Sequence, residues 1–543
     1  MKTIIINKVR NIAKGLFPMF LLPAMTLLAS CSDFLEEYSQ DLARVQTVDD
    51  LDELVVGDCL LPLGYVSTAN SMYSLYNKNF DLLHFMSDEL DEKTTSAVPY
   101  GATLIVPTYY PYFTWQQNMF LDDEGRNSNE SQEAQYWKLA YEKIGKCNMV
   151  LAEADGMTPE NDDEVIKLNH IKGECHFLRA NYYFMLVNLY AKPYAPSTAA
   201  STAGIPIKTT PEIEDIDYQR NSVAEVYDQI ISDLTMAEQL LADYTKAKNT
   251  YRATINCVYL FRSRVAAFMQ NWSEAADYAR KSLALNNTLT DLTNWSSGYP
   301  ISADNAEVLF SNGSSCLGNV LHRYPGRRNS YYDDYSPIYT ISDHLAGLYT
   351  AADGRRKAYI SNTDNSEGVW SYNKIDKSEA SFNNYKTASD VFCLRTAEAY
   401  LLLAEAEAQL GNDAEACRQL NLLRAKRIED AENVSLSGES LITFVREERE
   451  RELCLEGHRW FDLRRYQVDA KYPWTTTIEH AYSKFAYDND AWMDVRSQTS
   501  YYRLEPNDEG YTLNIPKTVR DYQLSIGSNS RPDRQPFNVV LGQ

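Results

Sequence analysis

Seven consecutive charged residues, Arg446 to Glu452, lie between apolar runs in the stretch from Leu441 to Tyr466. Ile442, Phe444 and Val445 come before them, and Leu453, Leu455, Trp460, Phe461 and Leu463 come after. Helical spacing puts Glu448, Glu452 and Glu456 on one side, sets Glu447 beside Arg451, and sets Arg446 beside Glu450. Gly457 stands where a left-handed residue would stop the helix. A solvated face is the bland reading of such a charge run, but it leaves no use for Trp460, Phe461 and Leu463 directly after the cap. The stretch therefore reads as a half-buried helix whose Arg and Glu side chains pair inside a helical scaffold. Such a network orients neighbouring helices and does no chemistry.

A chain of 543 residues can bury a large core, in one big domain or two to three ordinary ones. Its formal charge is −23, and four units more negative once residues 1–30, with four basic groups and no acid, are removed. A surface that acidic repels phosphate backbones, which argues against a nucleic-acid partner. Nine cysteines are scattered singly, with no C-x-x-C and no Cys/His cluster at zinc spacing. That argues against a disulfide framework or a structural zinc, and no metal ligand set is assigned. Tyrosine is the outlier, with 39 residues against 18 Phe and 8 Trp. Its ring pairs a flat apolar face with a hydroxyl, which suits amphipathic ligands, although most are expected to pack between helices.

Residues 1–30 have the form of a signal peptide. Lys2, Lys8, Arg10 and Lys14 are followed by an apolar stretch, 15–29, broken by Pro18 and Pro23 and too short to span a membrane. It ends in Leu28-Ala29-Ser30-Cys31, which resembles a bacterial lipobox, with Cys31 as the site of lipid attachment, palmitate included. Several acyl chains bury enough methylenes for stable anchoring. The acidic start of the mature chain, Ser32 to Glu37, resembles signals for display on the cell surface.

Along the mature chain, 31–543, helical hairpins are expected at about 131–190, 222–285 and 396–466. Thr47 is a candidate N-cap for a helix reaching Leu61, and Ser71 to Leu90 reads as another. Ser222, with Glu225 three residues on, has the form of a capping box. Small residues, among them Ala266, Ala275, Ala279, Ala404 and Ala406, fall where helices must approach closely, in the manner of tetratricopeptide units. Two regions break the pattern. About 91–117 mixes Pro, Gly and Thr with Tyr109, Tyr110, Tyr112 and Trp115 and reads as a loop or short hairpin. About 287–391 is rich in Asn, Ser, Asp and Gly and carries Trp295, Tyr299, Tyr331, Tyr332 and Trp370. An irregular stretch of that length inside a domain points to function. From Leu513 to Lys517 the tail reads as strand-like.

The residues Glu448, Arg449, Arg451, Glu452, Leu453, Glu456, Gly457, Arg459, Trp460, Asp462, Leu463 and Arg465 form the pattern E-R-x-R-E-L-x-x-E-G-x-R-W-x-D-L-x-R. It resembles the C-terminal signature of the SusD/RagB family of nutrient-binding outer-membrane lipoproteins. The run G-E-x-x-F-L-R-A-x-Y-Y-F-x-L-V-N-L-Y from Gly173, and Asp353-Gly354-Arg355, fit further hallmarks. The resemblance implies a mainly α, tetratricopeptide-like helical-hairpin scaffold with a large irregular, loop-rich ligand-binding region. It also implies capture of oligosaccharides, or less often peptides, and delivery to a SusC-type TonB-dependent transporter. A peptide- or protein-binding adaptor on the same fold and a surface glycoside hydrolase are the alternatives.

No enzymatic constellation stands out. There is no G-x-S-x-G elbow, no H-E-x-x-H and no phosphate loop. Glu89, Asp91 and Glu92 are the best carboxylates on offer for glycoside hydrolysis, which needs a pair roughly 5–9.5 Å apart. Asp122-Asp123-Glu124 supplies hard oxygens for a structural calcium, but not at EF-hand spacing. No cofactor is expected. The candidates for ligand contact are Tyr109, Tyr110, Tyr112, Trp115, Trp295, Tyr299, Tyr331, Tyr332 and Trp370. The candidates for a structural network are Glu448, Arg449, Glu452, Glu456, Arg459 and Asp462, with His458 as a partner.

Overall fold

Helix starts follow the local signals. In the computed structural model, which describes residues 45–61, 82–92, 97–99, 106–212, 214–247, 249–313, 317, 321, 339–361, 370–375 and 388–542, helix α1 (Val48–Leu54) opens on Thr47. Thr47 and Asp50 form a reciprocal capping box, and α1 runs on into one π-helical turn, Val55–Cys59. The signal peptide 1–30, Cys31, Tyr331, Tyr332 and 71–81 of the second expected helix lie outside the described residues. Within 82–90, α2 (Leu82–Met86) is helical.

The stretch 91–117 departs from expectation. Strands β1 (Leu90–Glu92) and β2 (Ala97–Pro99) are followed by a helix, α3 (Val106–Phe113), rather than a loop. Tyr109, Tyr112, Phe113 and Trp115 are drawn into the core. Backbone carried inward with them must satisfy its own hydrogen bonds, and a helix does that locally.

Long helices α4 (Glu130–Asp155), α5 (Asp162–Tyr190), α6 (Val223–Leu240), α7 (Ile255–Phe268) and α8 (Trp272–Leu285) build the first part of the scaffold. From Phe177 to Tyr190, α5 is buried on every side, the place that a helix apolar all round must take. It packs between α4 and α6. Ser222 and Glu225 make the expected capping box at the start of α6.

The irregular region supplies short pieces: β3 (Val308–Ser311), β4 (Tyr339–Ile341), α9 (Asp343–Gly347), α10 (Arg355–Ala358), β5 (Ile360–Ser361), β6 (Ser371–Tyr372) and β7 (Cys393–Arg395). Then α11 (Thr396–Leu410) turns through left-handed Gly411 into α12 (Asp413–Arg424). Buried alanines on α8 and α11 line the close approach of those two helices. Helices α13 (Gly438–Leu453) and α14 (Arg459–Gln467) carry the charged stretch.

Gly457 is not the cap of α13, which ends four residues earlier. Leu455 and Gly457 both have positive φ, in the turn leading to α14. The last carbonyls are met instead by buried cations. Lys374 donates to the Glu452 and Cys454 carbonyls at 3.0 and 2.7 Å, and Arg395 donates to that of Glu452 at 2.5 Å. Cations at a helix C-terminus both fill the orphan acceptors and oppose the dipole.

The longest strands lie where helical periodicity predicts nothing. β8 (Ile478–Asp488) pairs antiparallel with β9 (Met493–Leu504). The other edge of β9 is shared by β2 and by β10 (Asn538–Leu541), with α15 (Lys517–Tyr522) between β9 and β10 in the chain. The run Leu513–Ile515 forms no strand. It is buried, with the Leu513 N–H on the Leu189 carbonyl and the Asn514 amide on that of Gln117.

Candidate functional site

Glu452, with no exposed surface, accepts from Arg395 at 2.6 Å, Arg427 at 2.9 Å, Arg355 at 3.1 Å and the Tyr359 hydroxyl at 2.8 Å. Burial alone would raise its carboxyl, but Arg427, Arg395 and Arg355 outweigh that and hold it well below the usual range. One helical turn earlier, Glu448 meets Arg355 at 2.7 Å and is held at about 2, burial again being outweighed by Arg355, Arg451 and Arg424. Glu456 faces Lys374 at 2.6 Å and Arg395 at 2.8 Å. On the other side of α13, Arg449 pairs with Asp462 at 2.8 Å, and Asp462 also accepts from Arg465 at 2.7 Å. Arg459 reaches Asp88 and Glu450 at 2.6 and 2.9 Å. His458 is kept neutral by burial and by Arg264, Arg449, Arg395 and Lys374, and its Nδ1 lies 3.2 Å from Arg449. Arg446 pairs with Asp469 at 2.9 Å, not with Glu450 as helical spacing suggested, because Arg459 and His344 occupy Glu450.

These pairs hold loops in place. Arg427 donates to the Thr290 carbonyl at 2.5 Å, and the Leu292 N–H to that of Lys426 at 2.8 Å, which fixes the segment carrying Trp295. Gly354 N–H donates to the Arg427 carbonyl at 2.8 Å, and a Cβ on Gly354 would stand 1.7 Å from the Leu292 oxygen. No other residue fits that approach. Arg355 and Asp353, paired at 2.8 Å, fix the start of α10, and Lys374 fixes the segment 370–375 that carries Trp370. A parallel bridge between Ile301 and Ile375 sets the two tryptophan-bearing segments side by side.

The candidate aromatics divide on this frame. Tyr109, Tyr112 and Trp115 are at most 2 % exposed and cannot offer a face to a ligand. The Tyr109 ring stacks on Phe85 at 3.8 Å, and the Trp115 indole N–H donates to the Met86 carbonyl at 2.9 Å. Their apolar area is worth more inside than at a surface, and the helix α3 turns it there. Tyr110 is half-buried, its hydroxyl 3.3 Å from that of Tyr502. Trp370 is half-buried with the Arg356 guanidinium over its ring at 5.4 Å, and its backbone N–H donates to the Thr340 hydroxyl at 3.4 Å. Trp295 is half-buried beside Gly298, and Tyr299 is exposed. Thr340 faces Asp91 across the β1–β4 ladder, so the two aromatic-rich regions adjoin even though the first has sunk into the core. Arg356, Lys374, Arg395, Arg427 and Glu307 complete the frame. Sequence pattern marked Arg356 only as a neighbour of Arg355 and gave the other four no role.

The model of the family described as "Starch-binding associating with outer membrane" matches residues 86–266, and that of the SusD family matches 330–525. The chain belongs to the SusD/RagB family. Two SusD-like proteins of Formosa agariphila, P2 and P25, are similar to it. P2 is 26 % identical over 61 % of this chain and 71 % of its own, and P25 is 23 % identical over 85 % and 90 %. Among solved structures, a SusD-like carbohydrate-binding protein of Bacteroides vulgatus superposes with a TM-score of 0.63 at 20 % identity, covering 89 % of this chain and 98 % of that one. A SusD superfamily protein of Bacteroides thetaiotaomicron gives 0.63 at 19 %, covering 90 % and 100 %. These likenesses agree with a mainly α fold. The charged stretch whose partners are traced above lies within the residues that the SusD family model matches.

The acidic residues singled out for chemistry have other work in this SusD/RagB chain. Glu89 is buried against His84 and the Leu455 N–H, Asp91 accepts from the Asp343 N–H at 3.2 Å, and Glu92 accepts from the Ser483 N–H at 2.6 Å. Asp122 organises its own turn, accepting from the Glu124 and Arg126 N–H groups, the Arg126 guanidinium and the Ser128 hydroxyl. No helix among the described residues is long and apolar enough to cross a membrane.

Proposed function

We propose that this chain is a non-catalytic, carbohydrate-binding lipoprotein of the outer membrane, anchored through Cys31 and facing the cell exterior. It holds an oligosaccharide on the rim formed by Trp295, Tyr299, Arg356 and Trp370 and passes it to a SusC-type TonB-dependent transporter. The observation that carries the binding site is the pairing of Trp370 with Arg356 at the surface end of the buried ion network. Sugar C–H faces lie well on aromatic rings, and guanidinium and hydroxyl groups nearby bond the hydroxyls. Membership of a family whose model description names starch binding and the outer membrane supports the same reading. A protein that hands cargo on gains from weak binding, so a dissociation constant of about 1 μM to 1 mM fits the role.

The test is titration of the mature chain with a panel of soluble oligosaccharides by calorimetry, with reducing ends assayed in the same samples. Binding without new reducing ends supports the reading. Retention of peptides with no glycan bound would overturn it, as would release of sugar ends. Cys31→Ser should abolish labelling by radioactive palmitate and free the protein from the membrane fraction. Co-purification with a TonB-dependent barrel tests the partner.

A further inference from the structure

Three cysteines far apart in the chain meet in the core. Cys59 closes the π-helical turn after α1, Cys147 lies in α4 and Cys175 in α5. All three have no exposed surface, and their Sγ atoms lie within 4.8 Å of one another. With the sulfurs this close, the three side chains point to a common centre. A buried cysteine is ordinarily a small apolar filler. Cys257, Cys393, Cys417 and Cys454 fit that role, being buried without belonging to such a group among the described residues.

We propose that Cys59, Cys147 and Cys175 form a trithiolate site for a soft cation, Cu(I) or Zn(II). Thiolate sulfur prefers these ions to hard ones. With metal–sulfur bonds of about 2.3 Å, ligand sulfurs stand roughly 4 Å apart, so closure asks for shifts of under about 1 Å. Loading replaces three S–H bonds by three metal–sulfur bonds and releases three protons to solvent. One cation stands beside the excess negative charge: Lys143 donates to the Asp58 carbonyl next to Cys59 at 2.7 Å. The π-turn matters because such a turn re-aims one side chain out of the α-helical register, here Cys59. With every sulfur buried, the ion enters during folding or local opening. Once bound, it pins the segment 45–61 to the two long helices.

The test refolds the mature chain from reducing denaturant with equimolar Zn(II) or chelator-buffered Cu(I), removes unbound ion, and counts metal per chain by mass spectrometry. About one ion per chain is expected for the wild type and for Cys393→Ser, falling below about a tenth in Cys147→Ser and Cys175→Ser. The unfolding temperature should rise with metal only in the first two. X-ray absorption of the loaded wild type should show three sulfur ligands, alone on Cu(I) and with one light atom completing the tetrahedron on Zn(II), and this measurement does not depend on the variants folding. Fewer than three sulfur ligands, a wild type that refolds free of both ions, or equal loading of Cys147→Ser would each overturn the proposal.

Discussion

Arg355 and Glu448 meet at 2.7 Å with neither side chain reaching solvent. Arg355 also spans to Asp353 and Glu452, so one guanidinium joins α10 to two successive turns of α13. An ion pair this deep adds little net stability over an apolar pair of the same shape, but breaking it strands a charge.

Replacing Arg355 by Met should therefore lower unfolding stability by about 3–5 kcal/mol in urea titrations. Arg355→Lys should recover only part of this, because an ammonium cannot make the forked contacts of a guanidinium. A loss under about 1 kcal/mol for the methionine variant would mean that the network is dispensable.

Gly354→Ala should cost about 3 kcal/mol or more, since the added methyl would stand 1.7 Å from the Leu292 oxygen and the obstacle is backbone on both sides. The displaced segment carries Trp295, so the near-ultraviolet dichroism should change as well. Unchanged stability and spectrum would show that the approach is looser than described.

Trp115 and Trp370 should separate stability from binding. Trp115→Phe is expected to cost about 1–3 kcal/mol through its lost packing and indole hydrogen bond while leaving oligosaccharide affinity unchanged. Trp370→Ala should leave the unfolding midpoint nearly unmoved and weaken binding about tenfold or more, roughly 1.4 kcal/mol. Equal affinity for wild type and Trp370→Ala by calorimetry would remove that ring from the site.

Burial pushes the Glu92 carboxyl up to about 7, with Ser483 and Arg496 pulling it down only in part. Between its unfolded value of 4.5 and about 7 the folded chain keeps a proton that the unfolded chain has released. Its contribution to stability therefore falls as pH rises through that window and is level on either side. Glu92→Gln removes the titration and keeps an acceptor for Ser483. The variant should match the wild type near pH 4, then gain on it by up to about 3 kcal/mol by pH 8. Urea titrations at several pH values measure this, and a difference that stays constant with pH would refute it.

The helix starts at Thr47 and Ser222, the two alanine-lined hairpins and the charged signature were legible because each is set by residues within a few positions of one another. The same local view erred at α13. Spacing placed Gly457 as the cap and Glu450 beside Arg446, whereas Lys374 and Arg395 take the terminal carbonyls and Asp469 takes Arg446. Neither partner is visible in helical periodicity.

The aromatic candidates show the limit most clearly. Composition located the Tyr- and Trp-rich stretches, but a ring that packs and a ring that binds have the same chemistry, and only depth distinguishes them. Tyr109, Tyr112 and Trp115 are buried because α3 packs against α2 and β8, and the cysteines near 59, 147 and 175 meet because α4, α5 and the π-turn converge. Sequence alone determined the elements of this protein and the family it belongs to, since capping, periodicity and motif are short-range. Tertiary structure decided which charges pair, which rings remain outside and which thiols touch, since burial and contact depend on neighbours hundreds of residues away.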